Sequence, residues 1–168
     1  MSLVTQVGFD AIQPNIGNIP KYPFAVGGYV NGAVIKYIWK PSDWLKFPNA
    51  YHIRINVTGE LSRGNCLDVE TLDATPNDVK PWIVSVKDSL DPLLVYCNRS
   101  NLSACVAARN DAQKACGRYA FIWCATLDGT VTDRAMTQVE QLNNDTVDMS
   151  LIMDWRLIRN MQARIGHQ

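Results

Sequence analysis

Short apolar segments recur along this chain, and turn-rich or helical segments separate them. Runs such as "AYHIRINV" (50–57), "PLLVYC" (92–97) and "RYAFIWCAT" (118–126) have the length and the β-branched and aromatic content of strands. The other strand-like runs are "TQVGFD" (5–10), "AVIKYIW" (33–39), "NCLDVE" (65–70), "MTQVEQ" (136–141) and "TVDMS" (146–150). About eight strands with helices between several of them indicate an α/β protein with a largely parallel sheet.

Two of the intervening segments have helical patterns. In "TPNDVKPWIVSVKDSL", Thr75 and Asp78 resemble a capping box and Pro76 stands at the first helical position. The segment "SNLSACVAARNDAQKAC" is also helical in pattern, and Gly117 follows it as a stop signal.

The C-terminal segment predicts a helix at about 151–164. Its expected apolar stripe consists of Leu151, Trp155, Ile158 and Met161. Packing of this stripe against its own barrel is the favoured interpretation, and docking of a partner is the alternative.

The length of the chain restricts the architecture. With 168 residues the protein is expected to be a single domain, 1–168. A closed (β/α)8 barrel normally needs about 200 residues or more, so some crossovers must be loops. The connection "KPSDWLKFPN" (40–49) is the clearest such loop. We therefore predict an irregular, shortened (β/α)8 TIM-like barrel in preference to an open doubly wound sheet.

Composition excludes several function classes. Sixteen basic and sixteen acidic side chains cancel, and the sequence pI is near 6.7, so there is no electrostatic sign of nucleic-acid binding. No run is long and apolar enough to predict membrane insertion, and "MSLVTQVGFD" has no features of an N-terminal signal. Synthesis in the cytoplasm is the resulting expectation.

The five cysteines are predicted to be reduced structural thiols. Their number is odd and none forms a CxxC pair, which disfavours a disulfide framework or a metal site. Pairing of Cys105 with Cys116 is the alternative that the sequence leaves open.

The stretch "LDVET" carries two acids at the end of a predicted strand. Residues two apart in a strand share a face, so Asp68 and Glu70 point one way and Leu67 and Val69 the other. Each like charge disfavours ionisation of its neighbour. Proteins usually avoid such a pair unless solvent screens the charges or the carboxyl groups take part in a reaction.

Further acids follow or end other predicted strands. Functional residues of parallel α/β proteins gather at the carboxyl ends of strands, and the first and last strands are neighbours in a closed barrel. Asp10 and Asp148 are therefore expected to line one cavity with Asp68 and Glu70. The polar and aromatic candidates beside them are Tyr37, His52, Asn98 and Trp123.

A cleft of acids with aromatic neighbours suits glycoside hydrolysis. One carboxyl group of raised pKa protonates the leaving oxygen, and another stabilises or attacks the sugar carbon. Three alternatives stay open from the residues alone: structural carboxylates, a structural His52, and a divalent cation held by oxygen ligands. No EF-hand-like spacing supports the cation, so no metal and no cofactor is expected.

The motifs also occur in a recognisable order. They are "GFD", "VIKY", "AYHIRI", "LDVET", "LLVYCN", "FIWCA" and "TVDMSL", and they span nearly the whole chain. This pattern resembles the Chalaropsis-type lysozymes of glycoside hydrolase family 25. It is also similar to the shortened glycoside-hydrolase-like domains of actinobacteria and their phages.

The resemblance implies a muramidase with an irregular β/α barrel and no metal. Its substrate would be the β-1,4 bond between N-acetylmuramic acid and N-acetylglucosamine in peptidoglycan or a related glycan. It implies Glu70 as the general acid and Asp68 as the group that stabilises the developing cation or an acetamido-assisted intermediate. Asp10 and Asp148 would hold the sugar and tune the acid.

The chain departs from the family pattern in three places. The opening strand continues with "AIQPN" instead of a Ser-x-Tyr-Gln-like run. The segment between Lys36 and Tyr51 is shorter, and the expected Trp-Gln-Tyr motif reads "TQVEQ", which keeps Gln138 as a substrate-binding candidate without its aromatic flanks. These departures support a second hypothesis, a catalytically silent barrel that binds a glycan or forms a tail-associated part of a phage particle. In that case virion or homo-oligomer partners would dock through the C-terminal helix. The expected place of action is the cell wall, either after lysis or as part of a virion.

Overall fold

Eight strands close into one barrel, and they follow one another around it in chain order. A computed structural model provides this fold, and the structure describes residues 5–59, 64–86, 89–127 and 135–166. The strands are β1 (Gln6–Asp10), β2 (Ala25–Tyr29), β3 (Tyr51–Asn56), β4 (Cys66–Val69), β5 (Leu93–Asn98), β6 (Ala120–Ala125), β7 (Met136–Leu142) and β8 (Val147–Ile152). Neighbours from β1 to β7 pair in parallel, and β8 is antiparallel to both β7 and β1. The predicted α/β class and the closed barrel are confirmed.

The reversal of β8 removes one long crossover. A short turn joins β7 to β8, and its residues Asn143, Asn144 and Asp145 have φ values of 53°, 56° and 60°. Asn and Asp enter this left-handed region more readily than other non-glycine residues. A hairpin can therefore close the barrel where a parallel strand would need a dozen or more connecting residues.

Within the described residues, three α-helices and two 3-10 helices connect strands, and a fourth α-helix follows the last strand. The α-helices are α1 (Pro41–Trp44), α2 (Pro76–Ser85), α3 (Leu102–Cys116) and α4 (Trp155–Gln162), and the 3-10 helices are Gln13–Asn18 and Ile35–Tyr37. The capping box is confirmed, because the Asp78 carboxylate accepts a hydrogen bond from the Thr75 N–H at 2.8 Å. Gly117 ends α3 with a φ of 73°, as predicted. The predicted loop at 40–49 contains only the single turn of α1.

The prediction for the second strand was wrong. Residues 33–39 contain the 3-10 helix Ile35–Tyr37, and the strand is Ala25–Tyr29 instead. The two glycines of "AVGGY" weaken its strand signal. A Cβ on Gly28 would lie only 2.3 Å from the Trp39 ring, so glycine is what allows Trp39 to pack against this strand.

The predicted start of the C-terminal helix was also wrong. Leu151 belongs to β8, which pairs with β1 and β7 as far as Ile152. Helix α4 begins at Trp155. The preceding residue, Asp154, caps the helix by accepting a hydrogen bond from the Arg156 N–H at 2.8 Å. Its buried residues are Leu157 and Met161, whereas Trp155 is 56% exposed.

The hydrophobic core has three clusters, one of which forms around Val26 and Trp39 beside β1 and β2. Inside the barrel, residues from β2 to β8 form the inner cluster, and Leu157 and Met161 of α4 pack against its lower end. The outer cluster packs α2 and α3 onto the outside of β4, β5 and β6. The inner and outer clusters leave the opposite end of the barrel, where β1 and β4 finish, to polar side chains.

The five cysteines are free thiols in the structure. Cys66 belongs to the inner cluster, and Cys97 and Cys105 belong to the outer one. Across the described ranges, no helix has both the length and the apolar character needed to cross a bilayer.

Candidate functional site

Strand β4 separates its apolar and acidic residues by alternation. Leu67 and Val69 point outward and pack with α2 and α3. Asp68 points into the barrel, pairs in register with Tyr96 of β5 and is only 1% exposed. Glu70 directly follows the strand and is half-buried. The expected facing of this segment is confirmed.

Asp10 and Asp148 are direct neighbours across the seam that closes the barrel. Asp10 is the last residue of β1, and it is paired in register with Asp148 of β8. Because β8 is antiparallel, Asp148 near its beginning lies at the same end of the barrel as the end of β1. A parallel last strand would have its final residues at this end of the barrel. The antiparallel β8 has Asp148 there instead.

The other three acids all act electrostatically on Asp10. Burial, and then the charges of Asp148, Asp68 and Glu70, raise the pKa of Asp10 well above its usual range. We call these four residues the acidic cluster. The structure therefore brings together acids from distant segments of the chain, and their common lining of one cavity stays a prediction.

Asp68 and Glu70 retain protons more readily than ordinary carboxyl groups. Burial, followed by the charges of Glu70 and Asp73, raises the pKa of Asp68 to about 8. Burial, followed by the charges of Asp73 and Asp148, also raises the pKa of Glu70. Glu70 is the more accessible of the two, and a protonated carboxyl in an accessible position can donate a proton to a ligand.

Asp148 differs because amide groups hold its carboxylate. Burial raises its pKa, and hydrogen bonds from the side chains of Gln141 and Gln138 oppose that rise. Gln141 donates to Oδ1 of Asp148 at 2.9 Å. The Tyr96 hydroxyl donates to Oε1 of Gln138 at 2.6 Å, which orients the amide N–H groups of Gln138 toward Asp148. The predicted site residue Gln138 thus acts on the cluster through Asp148.

Two oxygens of the acidic cluster have no hydrogen-bond partner among the residues that the structure describes. These atoms are Oδ1 of Asp10 and Oδ1 of Asp68, and both residues are more than nine-tenths buried. A buried polar atom left without a partner costs about 1–3 kcal/mol. Donors supplied by a ligand would remove this penalty.

A cavity lies beside the β7–β8 hairpin, and its lining does not include the four acids. It has a volume of about 610 Å³ and is lined by Leu127, Val139, Glu140, Gln141, Asp145 and Leu151. Gln141 both lines this cavity and donates to Asp148.

His52 and Trp123 do not have the positions that we expected. His52 is paired with Val26 on the outer side of the barrel, where its ring contacts Trp44 and its Nε2 lies 3.0 Å from the Phe47 carbonyl. Trp123 points inward but is 1% exposed, and its indole N–H donates to the Ser150 hydroxyl at 2.9 Å. A sugar ring could not stack on either side chain without rearrangement.

Tyr37 and Asn98 have local structural contacts. Tyr37 lies in a 3-10 helix and not in a strand, with the Lys36 ammonium 5.2 Å from its ring centroid. Asn98 ends β5, and its Oδ1 accepts hydrogen bonds from the Ser100 hydroxyl and the Asn101 N–H. Asn98 therefore shapes the β5–α3 connection.

Sequence reasoning missed two tyrosines of the site. The charges of all four acids raise the pKa values of Tyr29 and Tyr96, after burial as the largest cause. Both hydroxyls are therefore within electrostatic reach of the acidic cluster. Tyr96 is two residues before Asn98 in an inward-facing register, which was a usable signal, whereas Tyr29 lies in the strand that was not predicted.

Gly27 makes room for Asp10. A Cβ at Gly27 would lie 2.6 Å from Cβ of Asp10 and 3.3 Å from Cδ1 of Ile55. We expect Gly27→Ala to lower the free energy of unfolding by about 1–3 kcal/mol, because the added methyl group overpacks the barrel. Urea denaturation measures the change.

Gly17→Ala is the matched control, since no heavy atom lies within 4 Å of a Cβ at Gly17. It should remain within about 0.5 kcal/mol of the wild type. Equal stability of the two variants would contradict the close approach of β2 to Asp10.

The raised pKa of Asp68 predicts a dependence of stability on pH. Between about pH 4 and the folded-state pKa of about 8, the unfolded chain ionises this carboxyl while the folded chain keeps it protonated. The unfolded state therefore binds fewer protons, and the free energy of unfolding falls as pH rises. The contribution of one group is at most about 1.4 kcal/mol per pH unit.

Asp68→Asn should make this decline shallower between pH 5 and pH 8 in urea denaturation. Asp111→Asn, at an exposed position on α3, should leave the slope unchanged. A slope of Asp68→Asn equal to that of the wild type would show that Asp68 is not the responsible group.

Among residues 5–59, 64–86, 89–127 and 135–166, no group of three or more His, Cys, Asp or Glu side chains is arranged to hold a metal ion. The acidic cluster is therefore described by its protons and hydrogen bonds.

Comparison with known proteins gives the fold and no more. The sequence matches no protein-family model and no curated protein. The structure is similar to the crystal structure of an uncharacterized B. stearothermophilus protein, with a TM-score of 0.59, 12% sequence identity, and coverage of 90% of this chain and 97% of that chain. Likeness at this identity supports the barrel architecture of this chain without indicating an activity.

Proposed function

We propose that this protein is a glycan hydrolase resembling a muramidase. The observation that carries the proposal is the meeting of Asp10, Asp68, Glu70 and Asp148 at one end of the barrel, where burial is the largest cause that raises the pKa of each. Hydrolysis of a glycosidic bond needs a protonated carboxyl and a second carboxyl that stabilises positive charge. The β-1,4 bond of peptidoglycan is the proposed target.

Glu70 is the proposed general acid. It is half-buried, it follows β4 at the rim of the barrel, and burial is the largest cause of its raised pKa. The proton that it keeps would pass to the oxygen of the leaving sugar as the bond breaks. Activity should therefore fall when the pH rises through the pKa of Glu70.

Asp68 and Asp10 are the proposed partners of the sugar. Positive charge that develops at the sugar carbon favours their ionised forms, and the unpaired Oδ1 atoms can accept hydrogen bonds from sugar N–H or O–H groups. Gln138 and Gln141 donate hydrogen bonds to Asp148. The proposed role of Asp148 is to supply the negative charge that raises the pKa values of Asp10 and Glu70.

The architecture fits this activity. We propose that the barrel is a shortened (β/α)8 barrel in which the β7–β8 hairpin replaces the last crossover. Active sites of such barrels lie at the carboxyl ends of the strands, which is where the acidic cluster lies.

A zymogram containing purified peptidoglycan tests the proposal. Full-length protein should produce a cleared band, and mass spectrometry of the soluble products should show new reducing ends at muramic acid. A folded protein that clears no peptidoglycan and releases no reducing ends would favour the catalytically silent barrel instead.

A further inference from the structure

A separate cavity lies at the end of the barrel opposite the acidic cluster. Pro92 and Tyr119 line it, and they immediately precede the parallel strands β5 and β6. Arg156 and Asn160 of α4 also line it, and its volume is about 550 Å³. We call this space, between α4 and the first residues of the parallel strands, the basal cavity.

Arginine side chains give the basal cavity a fixed positive charge. Arg118 and Arg156 are part of its lining. The guanidinium carbon of Arg109 lies 4.6 Å from the ring centroid of the lining residue Tyr119, and that of Arg156 lies 5.6 Å from the same centroid. A guanidinium group does not lose its proton in proteins. These three positive charges therefore do not depend on pH.

Nearby carboxylates compensate only part of this charge. Arg156 forms an ion pair with Asp154, with 2.6 Å between Nη2 and Oδ2. Arg118 and Arg109 donate hydrogen bonds to main-chain carbonyls instead. Within the described ranges, neither of these two forms an ion pair with a carboxylate. Two of the three positive charges thus have no negative partner among these residues.

Asp91 is a further acid beside the cavity, and its charge is already paired. It precedes Pro92, and its main-chain carbonyl accepts the hydrogen bond from Arg118. Its carboxylate forms an ion pair with Arg54, with Oδ2 2.6 Å from Nη2. The charges of Asp91 and Arg54 therefore cancel, and the charge of Arg118 remains.

The protein also supplies too few hydrogen-bond acceptors to these guanidinium groups. The Nε atoms of Arg109 and Arg118 are buried and have no partner in the part of the chain that the structure describes. Because they are closed to solvent, a ligand in the cavity would contact Arg118 through its terminal nitrogens. The positive charge is delocalised over the whole guanidinium group, so an anion at the terminal nitrogens still compensates it.

The charge and the donors of the basal cavity favour a phosphate group. A neutral acceptor compensates no charge, and a carboxylate brings one negative charge and two oxygens. A phosphomonoester brings about 1.5 to 2 negative charges at pH 7 and three acceptor oxygens. Guanidinium groups bind phosphate through two parallel hydrogen bonds. The side-chain amides of Gln113 and Asn160 also line the cavity and can donate to the remaining oxygens.

We propose that the basal cavity binds the phosphate group of a small organic phosphomonoester through Arg118 and Arg156. A phosphate group alone is small relative to the volume of the cavity, so there is room for an organic part. Pro92, Tyr119 and Phe121 provide an apolar wall for that part. The inference does not depend on the proposed hydrolase, because the acidic cluster lies at the other end of the barrel.

Isothermal titration calorimetry on the full-length protein, in low-salt buffer at about pH 7.5, tests the proposal. The probes are glucose 6-phosphate, glucuronate and glucose, which carry a phosphomonoester, a carboxylate or neither on similar sugar rings. We expect glucose 6-phosphate to bind about tenfold more tightly than glucuronate, as one additional hydrogen bond between charged groups would give, and glucose to show no binding. No binding of glucose 6-phosphate, or an affinity for glucuronate or glucose that equals or exceeds it, would overturn the inference.

Two variants locate the phosphate group. Arg118→Gln should weaken binding of glucose 6-phosphate by about 10- to 100-fold, the effect of losing a hydrogen bond between charged groups, and Arg156→Gln should weaken it as well. Arg118→Lys keeps the charge without the paired donors, so its affinity should lie between those of the wild type and Arg118→Gln. Wild-type affinity in both glutamine variants would contradict the inference. Circular dichroism checks folding, and if one glutamine variant does not fold, the other decides.

Arg99→Gln is the matched control for charge. Arg99 is exposed and directly follows β5, at the end of the barrel where the acidic cluster lies. The substitution removes the same charge as Arg118→Gln, but at the opposite end of the barrel, so the affinity for glucose 6-phosphate should stay near that of the wild type. Equal losses in Arg99→Gln and Arg118→Gln would indicate attraction to the charge of the whole protein and would overturn the inference.

Discussion

Glu70→Gln should reduce peptidoglycan cleavage by about 100- to 10,000-fold, the usual contribution of a general acid. Glutamine has nearly the same shape but cannot give a proton to the leaving oxygen. Burial and the charges of Asp73 and Asp148 raise the pKa of Glu70, so the substitution also removes an unfavourable ionisation. The free energy of unfolding is therefore expected to be unchanged or higher. Release of reducing sugar ends measures activity, and urea denaturation measures stability.

Glu140→Gln is the matched control for this variant. Glu140 is exposed on β7, outside the acidic cluster, and the same chemical change there should leave cleavage near the wild-type rate. Cleavage by Glu70→Gln at the wild-type rate would remove Glu70 from the role of acid. Equal losses in the two variants would indicate a general effect of charge.

Leu157→Ala should lower the free energy of unfolding by about 2–5 kcal/mol, the usual range for a large buried aliphatic side chain. Leu157 is fully buried and packs with the inner cluster of the barrel. Its removal would leave a cavity at the end of the barrel opposite the acids. Because typical domains are stable by only about 5–15 kcal/mol, the variant could lose a large part of its stability. Urea denaturation followed by tryptophan fluorescence measures the loss.

Trp155→Ala is the control on the same helix. Trp155 is larger than Leu157 but 56% exposed, so its truncation should change the free energy of unfolding by about 0.5 kcal/mol or less. A larger loss for Trp155→Ala than for Leu157→Ala would contradict the packing of α4. A partner of this helix would meet Trp155, because the barrel itself covers Leu157 and Met161.

The alternation of strand residues predicted much of the candidate site. In β4, Asp68 could be assigned to the face opposite Leu67 and Val69 because the period of a strand is two residues. Barrel closure then accounted for the approach of Asp10 to Asp148. These inferences needed only strand positions and the order of the strands, which local sequence patterns indicate well.

The same alternation could have placed His52 correctly. It stands between Tyr51 and Ile53, and both of these are buried in the inner cluster. His52 must therefore point outward. Trp123 gave no such signal, since every residue of "AFIWCA" is buried and either face of that strand could have been the inner one.

Strand direction and glycine-rich strands were beyond local patterns. The sequence "TVDMS" indicates a strand, but nothing within it shows that it is antiparallel to both neighbours. Strand β2 contains two adjacent glycines. Gly27 allows the close approach of Asp10, and Gly28 allows that of Trp39. Such contacts join segments far apart in the chain, and a window of neighbouring residues does not contain them.

The pairing of β1 with β8 indicates when the acidic cluster forms during folding. The β7–β8 hairpin is local, and hairpins form within about 1–10 μs, whereas Asp10 and Asp148 come from opposite ends of the chain. Contacts between such distant segments require the largest loop closure and tend to slow folding. Refolding should therefore restore secondary structure before the carboxyls of Asp10 and Asp148 become neighbours. Any activity that needs the acidic cluster should then recover only when β1 pairs with β8.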